Sequence, residues 1–201
     1  FLPGSRMSEI KKLLPYFNFA YKYLLKKQSN ITIFIPTLPH LKKIIEYYFK
    51  DWKINLIIST EKNEIENYFL NTSKALVCYG TASLEIAKRN IPQLVIYKLN
   101  ILTELIAKNF VNFKYSNIIN IMENKMIIPE ITNSQLNKKI FLLEFDKLIK
   151  DEIANKNQII NVNYALKKIQ ADQPPYTLAA NRIISYFWLF FPKPIKNWFF
   201  F

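Results

Sequence analysis

The apolar positions along this chain follow two alternating periods. Over residues 8–27 they recur at helical spacing, with Ile10, Leu13, Leu14, Phe17, Tyr21, Leu24 and Leu25 on one stripe. Pro15 falls inside that stripe, so it either bends the helix or moves its start later. A short apolar run at 31–35, ended by Pro36, reads as a strand. Leu41, Ile44, Ile45, Tyr48 and Phe49 then give a second helical face. The exchange continues with a strand at 54–58, a helix at 61–70 and a strand at 75–78. The stretch 78–87 opens another helix, and a strand at 94–97 and a helix at 101–110 follow. Strands of four or five apolar residues separated by helices predict a parallel sheet covered on both faces. The expected fold class is therefore α/β, a Rossmann-like doubly wound parallel sheet. Ligands in such sheets bind beyond the carboxyl ends of the strands.

After Phe113 the alternation stops. Residues 115–122 read as a loop or a short strand, and 126–130 lead into a polar cluster. Ser134 is placed as the N-cap of a helix reaching about Lys150. A further helix runs from Asp151 or Glu152 to Ile169. Pro174-Pro175 marks a turn, and a last helix starts near Thr177. The organisation expected is one domain over 1–170 and a helical carboxyl-terminal extension over 171–201.

Composition narrows the function classes. Half of the 201 residues are hydrophobic and 15% are aromatic, which excludes a disordered chain. The single cysteine, Cys78, excludes an internal disulfide and fits a reducing cytoplasm. With one His and one Cys there is no basis for a zinc site of the usual kind, so no metal and no cofactor are expected. No secretory signal is read at the start. The net charge of +13 asks for a partner. Its lysines are scattered over many helices and no nucleic-acid module is present, so nucleic acid is not expected. An anionic membrane surface is the better candidate.

Candidate chemistry gathers at the chain's two glycines, Gly4 and Gly80. Each follows an apolar strand end and precedes a helix, a layout in which free amides at the helix start face an anion. Both glycines are expected where the backbone needs φ > 0 or a close approach. Arg6 is one of only three arginines, beside the turn formed by Gly4 and Ser5. Its planar fork fits bidentate phosphate binding, or it is an ordinary surface arginine. Thr81 opens the helix after Gly80, and Glu85 lies about one turn in. Its carboxylate either reaches a ribose hydroxyl or pairs with Arg89 at i,i+4.

These stretches together resemble a known family. Phe1-Leu2-Pro3-Gly4-Ser5-Arg6 with Leu13-Leu14-Pro15, Pro36-Thr37-Leu38-Pro39-His40 and Gly80-Thr81-Ala82-Ser83-Leu84-Glu85 are similar to the lipid-A-disaccharide synthases. So are Pro92 with Val95-Ile96-Tyr97-Lys98, Leu102-Thr103, and Asn120 followed by Pro129-Glu130. Three positions depart from the family's pattern: Tyr79 for a small residue, Ile119 for Pro, and Asn133 for Gln. The resemblance covers about residues 1–133 and implies one half of a two-domain GT-B glycosyltransferase, the half that binds the UDP donor. It implies that Gly4, Ser5, Arg6, Gly80, Thr81, Glu85, Asn120 and Glu130 line the donor site. Read without it, Asn120 is a turn residue and Glu130 an exposed residue at a helix start. The implied hexosyl transfer moves 2,3-diacylglucosamine from UDP-2,3-diacylglucosamine onto 2,3-diacylglucosamine 1-phosphate. The acid-base residue and the acceptor site would belong to the amino-terminal half, and the partners implied are that half in another chain, or a homodimer. Two alternatives stay open: an inactive fragment, and the donor domain of another UDP-sugar transferase. The place implied is the cytoplasmic side of a Gram-negative inner membrane, with the chain held peripherally. Aromatic residues in 186–201 beside Lys193 and Lys196 fit the membrane interface, or pack on the sheet or another subunit.

Overall fold

The computed structural model describes residues 1–27, 30–98, 114–169 and 175–190. In chain order the elements are α1 (Met7–Lys27), β1 (Thr32–Pro36), α2 (Pro39–Phe49), β2 (Asn55–Ser59), α3 (Lys62–Leu70) and β3 (Ala75–Cys78). Then come α4 (Thr81–Lys88), β4 (Gln93–Tyr97), α5 (Ile118–Glu123) and β5 (Glu130–Thr132). A 3₁₀ turn at Asn133–Gln135 leads to α6 (Lys138–Lys150), α7 (Glu152–Ile169) and α8 (Pro175–Phe190).

All the strand pairs are parallel. β1 pairs with β2, with Phe34 opposite Ile57, and β4 lies between β3 and β5. The segment Phe1-Leu2 joins the two groups. The Phe1 nitrogen donates to the Phe34 carbonyl at 2.6 Å. On the other side Leu2 N–H donates to Leu76 O at 2.9 Å, and Cys78 N–H donates to Leu2 O at 2.7 Å. The spatial order is therefore β2, β1, Phe1-Leu2, β3, β4, β5. With Phe1-Leu2 counted as the first strand, this is the 3-2-1-4-5-6 order of a doubly wound sheet.

Side chains alternate between the two faces, as a pleated strand requires. Ile33, Ile35, Leu76, Cys78, Leu94 and Ile96 join one core with α1, α2 and α6. Ala75, Val77 and Val95 join the other with α3, α4, α5 and α7. Right-handed crossovers explain the division for the helices that connect strands, α1 and α2 before the reversal of strand order and α4 and α5 after it; α6 and α7 follow the last strand and cover one face each. The order reverses between Phe1-Leu2 and β3, the strands that lead into Gly4 and Gly80.

Several boundaries differ from the pattern-based reading. α1 starts at Met7 and runs through Pro15 to Lys27. Pro15 and Lys11 are both exposed, so the break in the helical hydrogen-bond ladder falls on the solvent side of α1. Leu25 is exposed, and Tyr16 and Ala20 take places on the buried stripe. Within 115–122 the chain forms a helix, α5, where a loop or short strand was expected. Its cap is Asn117, whose side chain accepts from Ile119 N–H at 3.0 Å. Asn137 caps α6 in the same way, accepting from Ile140 N–H at 3.0 Å, so Ser134 belongs to the 3₁₀ turn and not to that helix. The expected helix at 101–110 lies outside the described residues.

Compact structure divides between Leu166 and Lys167. In the second unit, α8 begins at Pro175 and carries Tyr176, Ile183, Ile184 and Tyr186 exposed.

Candidate functional site at the switch point

The two glycines hold conformations that no other residue adopts cheaply. Gly4 has φ +115° and Gly80 φ +143° with ψ −164°. Among the described residues the other positive-φ positions, Asn90, Asn124 and Asn133, have φ between 46° and 57°, the left-handed region that asparagine tolerates. Glycine is thus confined to the two turns that asparagine cannot make.

Their surroundings differ. A Cβ on Gly80 would meet nothing within 4 Å, so that turn borders open space. A Cβ on Gly4 would lie 2.9 Å from Glu9 Oε2 and 3.2 Å from Cys78 Sγ, so that turn is closely packed. Tyr79 does not crowd the Gly80 turn; its ring leans on Tyr97 at 5.1 Å, over the ends of β3 and β4. Gly80 is also the N-cap of α4 and makes no side-chain cap bond. The first amides of α4 therefore open onto that space, carrying the partial positive charge of a helix start. Thr81 and Ser5 are exposed at this edge.

Arg6 projects here with 77% of its side chain exposed, and donates from Nη1 to Glu9 Oε1 at 3.1 Å. Glu85, 53% exposed, accepts from Arg89 Nη2 at 3.3 Å, the i,i+4 pair foreseen from spacing. Arg89 is held more closely elsewhere: both its terminal nitrogens donate to Glu66 at 2.7 Å, and its guanidinium stacks 4.5 Å from the Phe69 ring centroid. The hydrogen bond to Glu66 raises the Arg89 pKa despite partial burial.

Asn120 and Glu130 are turned inward. Asn120 is fully buried; its Oδ1 accepts from Ile127 N–H at 2.8 Å and Ile128 N–H at 2.9 Å, and its Nδ2 donates to Ile128 O at 2.7 Å. Glu130 opens β5 at 8% exposure, and so is not an exposed residue at a helix start. Its two oxygens accept from Ser116 N–H at 2.9 Å and Asn117 N–H at 2.6 Å. Asn117 Nδ2 in turn donates to Ser83 Oγ at 2.7 Å, tying β5 to the first turn of α4. Ser83 and Asn117 are buried structural supports whose roles the pattern did not single out. An asparagine before the apolar pair Ile118-Ile119 was the available signal.

Cys78, under the Gly4 turn, is buried, and its thiol is pushed up to about 12 by burial first and by the charge of Glu9 second. It stays a neutral thiol through neutral and mildly alkaline pH. Ellman's reagent at pH 8 is expected to label it only after denaturant is added; prompt labelling of the folded chain contradicts this placement. A cavity of about 1050 Å³ opens elsewhere, lined at the strands' starts by Thr32, Asn55, Lys74, Ala75 and Pro92.

The described fold, a doubly wound parallel sheet with a glycine turn on each side of its switch point, is the Rossmann-like architecture of one half of a GT-B transferase. The model of the lipid-A-disaccharide synthetase family matches residues 1–183, and the chain belongs to that family. The lipid-A-disaccharide synthase of Rhodospirillum centenum is 26% identical over 185 residues, which cover 92% of this chain and 46% of that protein. The synthase of Rickettsia canadensis is 31% identical over 183 residues, covering 90% and 47%. That of Acinetobacter baylyi is 31% identical over 163 residues, covering 76% and 41%. The chain thus spans about half the length of the curated relatives it matches.

Proposed function

We propose that the chain supplies the UDP-donor half of a lipid-A-disaccharide synthase. The donor is UDP-2,3-diacylglucosamine and the acceptor 2,3-diacylglucosamine 1-phosphate. An acceptor hydroxyl oxygen bonds to the anomeric carbon and gives its proton to a base, the bond from that carbon to the β-phosphate oxygen breaks, and UDP leaves with the electron pair. Charge builds on that oxygen, so donors fixed in advance around it lower the barrier. Arg6 and the open start of α4 behind Gly80 and Thr81 are such donors. Gly4 and Ser5 shape the turn that carries Arg6. Glu85 reaches the ribose hydroxyls by leaving Arg89, whose bond to it is longer than those to Glu66. Asn120 and Glu130 act from behind, holding the 116–128 backbone that borders the donor.

The observation that carries the reading is the meeting of both glycine turns at the point where strand order reverses. Residues that activate the acceptor would come from an amino-terminal half, as a separate chain, or from a homodimer partner. Arg6→Ala and Glu85→Ala are each expected to weaken UDP binding by about 1.5–3 kcal/mol, the size of a charge-assisted contact. Calorimetry on the two variants checks this, and unchanged affinity in both would count against the reading. Mixing the chain with a separately produced amino-terminal half should restore glycosyl transfer; binding without transfer in that mixture favours an inactive fragment.

The work of this half is also placed at an anionic membrane surface, where lipid-linked substrates reside. Among the described residues no helix is long and apolar enough to cross a membrane. The aromatic and basic residues of 186–201, together with the net charge of +13, support contact at the interface. In liposome sedimentation the full chain should partition onto anionic vesicles more than a chain ending at Pro192. Equal partitioning removes the tail from that role.

A further inference from the structure

Gly4, Glu9 and Arg6 form a packed unit that the donor reading does not fully use. Glu9 lies in the first turn of α1, where a carboxylate is favoured by the helix dipole even when it stands in water. Here it is drawn in, with only 16% of its side chain exposed. It rests against Gly4: a Cβ there would sit 2.9 Å from Glu9 Oε2 and 3.1 Å from Glu9 Cβ. The missing side chain at residue 4 is therefore what gives the carboxylate its place. Its other oxygen, Oε1, takes Nη1 of Arg6. Among the described residues the Arg6 guanidinium makes no other hydrogen bond or ion pair, so Nε and Nη2, an edge that can meet a phosphate bidentately, stay open. The three groups lie at the carboxyl edge beside Tyr97. Burial raises that hydroxyl's pKa most, the charge of Glu9 raises it further, and Arg6 lowers it.

The geometry points to Glu9 as a positioning residue: it grips Arg6 by one nitrogen so that the opposite edge of the guanidinium is presented to the donor diphosphate. This rests on the reading of Arg6 as a diphosphate ligand. A carboxylate bound bidentately would occupy a whole edge of the fork; this one takes a single nitrogen and leaves the Nε and Nη2 pair. An arginine 77% exposed and held at one point has fewer rotamers to lose when the ligand arrives.

The test is a double-mutant cycle read by calorimetry with UDP on the full chain. Glu9→Gln keeps the volume and removes the charge, and is expected to weaken binding about three- to tenfold, the cost of immobilising one long side chain. In an Arg6→Ala background the same change should have no further effect, with the melting temperature of each Glu9 variant close to that of its parent. A Glu9 of purely structural use would lower the melting temperature and leave UDP affinity uncoupled from Arg6. Glu9→Ala, read in the same way, guards against the glutamine oxygen standing in for the carboxylate. Wild-type or tighter affinity in both Glu9 variants overturns the proposal, as does a loss that adds to that of Arg6→Ala. Absence of UDP binding by the unmodified chain overturns the donor reading beneath it, and is seen before any variant is made.

Discussion

Asn120→Ala is expected to lower the unfolding free energy by about 3–5 kcal/mol. The side chain is fully buried and satisfies three backbone groups at once: the N–H groups of Ile127 and Ile128 and the carbonyl of Ile128. Alanine leaves all three without that partner, and a buried orphaned polar group costs about 1–3 kcal/mol. Ile127 N–H, only partly buried, sits at the low end of that range. The change should also loosen the segment between α5 and β5, so UDP affinity falls through the backbone that Asn120 holds. Ile118→Ala, in the same helix at an exposed position, should shift stability by no more than about 0.5 kcal/mol. Urea denaturation of the two variants makes the comparison. A loss below about 1 kcal/mol for Asn120→Ala would contradict the account of this segment.

The second large effect is expected on the other face of the sheet. Phe145 of α6 is fully buried, with ring centroids of Phe141 and Tyr23 at 5.6 Å and of Phe1 at 6.5 Å. Phe145→Ala is expected to cost about 3–5 kcal/mol, from lost transfer energy and the cavity left behind. Phe1 belongs to the segment that joins the two strand groups and leads into the Gly4 turn. Hydrogen exchange should therefore show faster exchange at Leu2 and Cys78, whose N–H groups pair across that segment. Leu143→Ala, on the exposed side of α6, is the matching control and should leave both stability and exchange near those of the parent. A Phe145→Ala chain as stable as that control would mean that α6 does not anchor the sheet.

The sheet was legible in the sequence because its strands are short, uninterrupted apolar runs bounded by Pro, Gly and polar residues. Ala75–Cys78 is buried at all four positions, and such runs have few other readings. The glycines were legible because there are only two. What could not be read was the direction of side chains in 115–137. α5 is six residues long, too short for a helical stripe to declare itself, and it depends on the Asn117 cap and on Asn120 and Glu130 from beneath. A polar residue in that region looks the same in sequence whether it faces ligand or backbone. Glu9 was missed for a related reason. A glutamate in the first turn of a helix is ordinary, and only its approach to Gly4 makes it particular. Glu85 stayed ambiguous because both of its readings are local: the structure shows the pair with Arg89 and leaves half of the side chain exposed.

The central claim is that the switch point between Phe1-Leu2 and β3 holds a UDP-linked donor. Calorimetric titration of the folded full chain with UDP, and separately with GDP, tests it most directly. The account predicts saturable binding of UDP that is tighter than that of GDP. A well-folded sample that releases no heat with UDP, or that binds the two nucleotides equally, would contradict it.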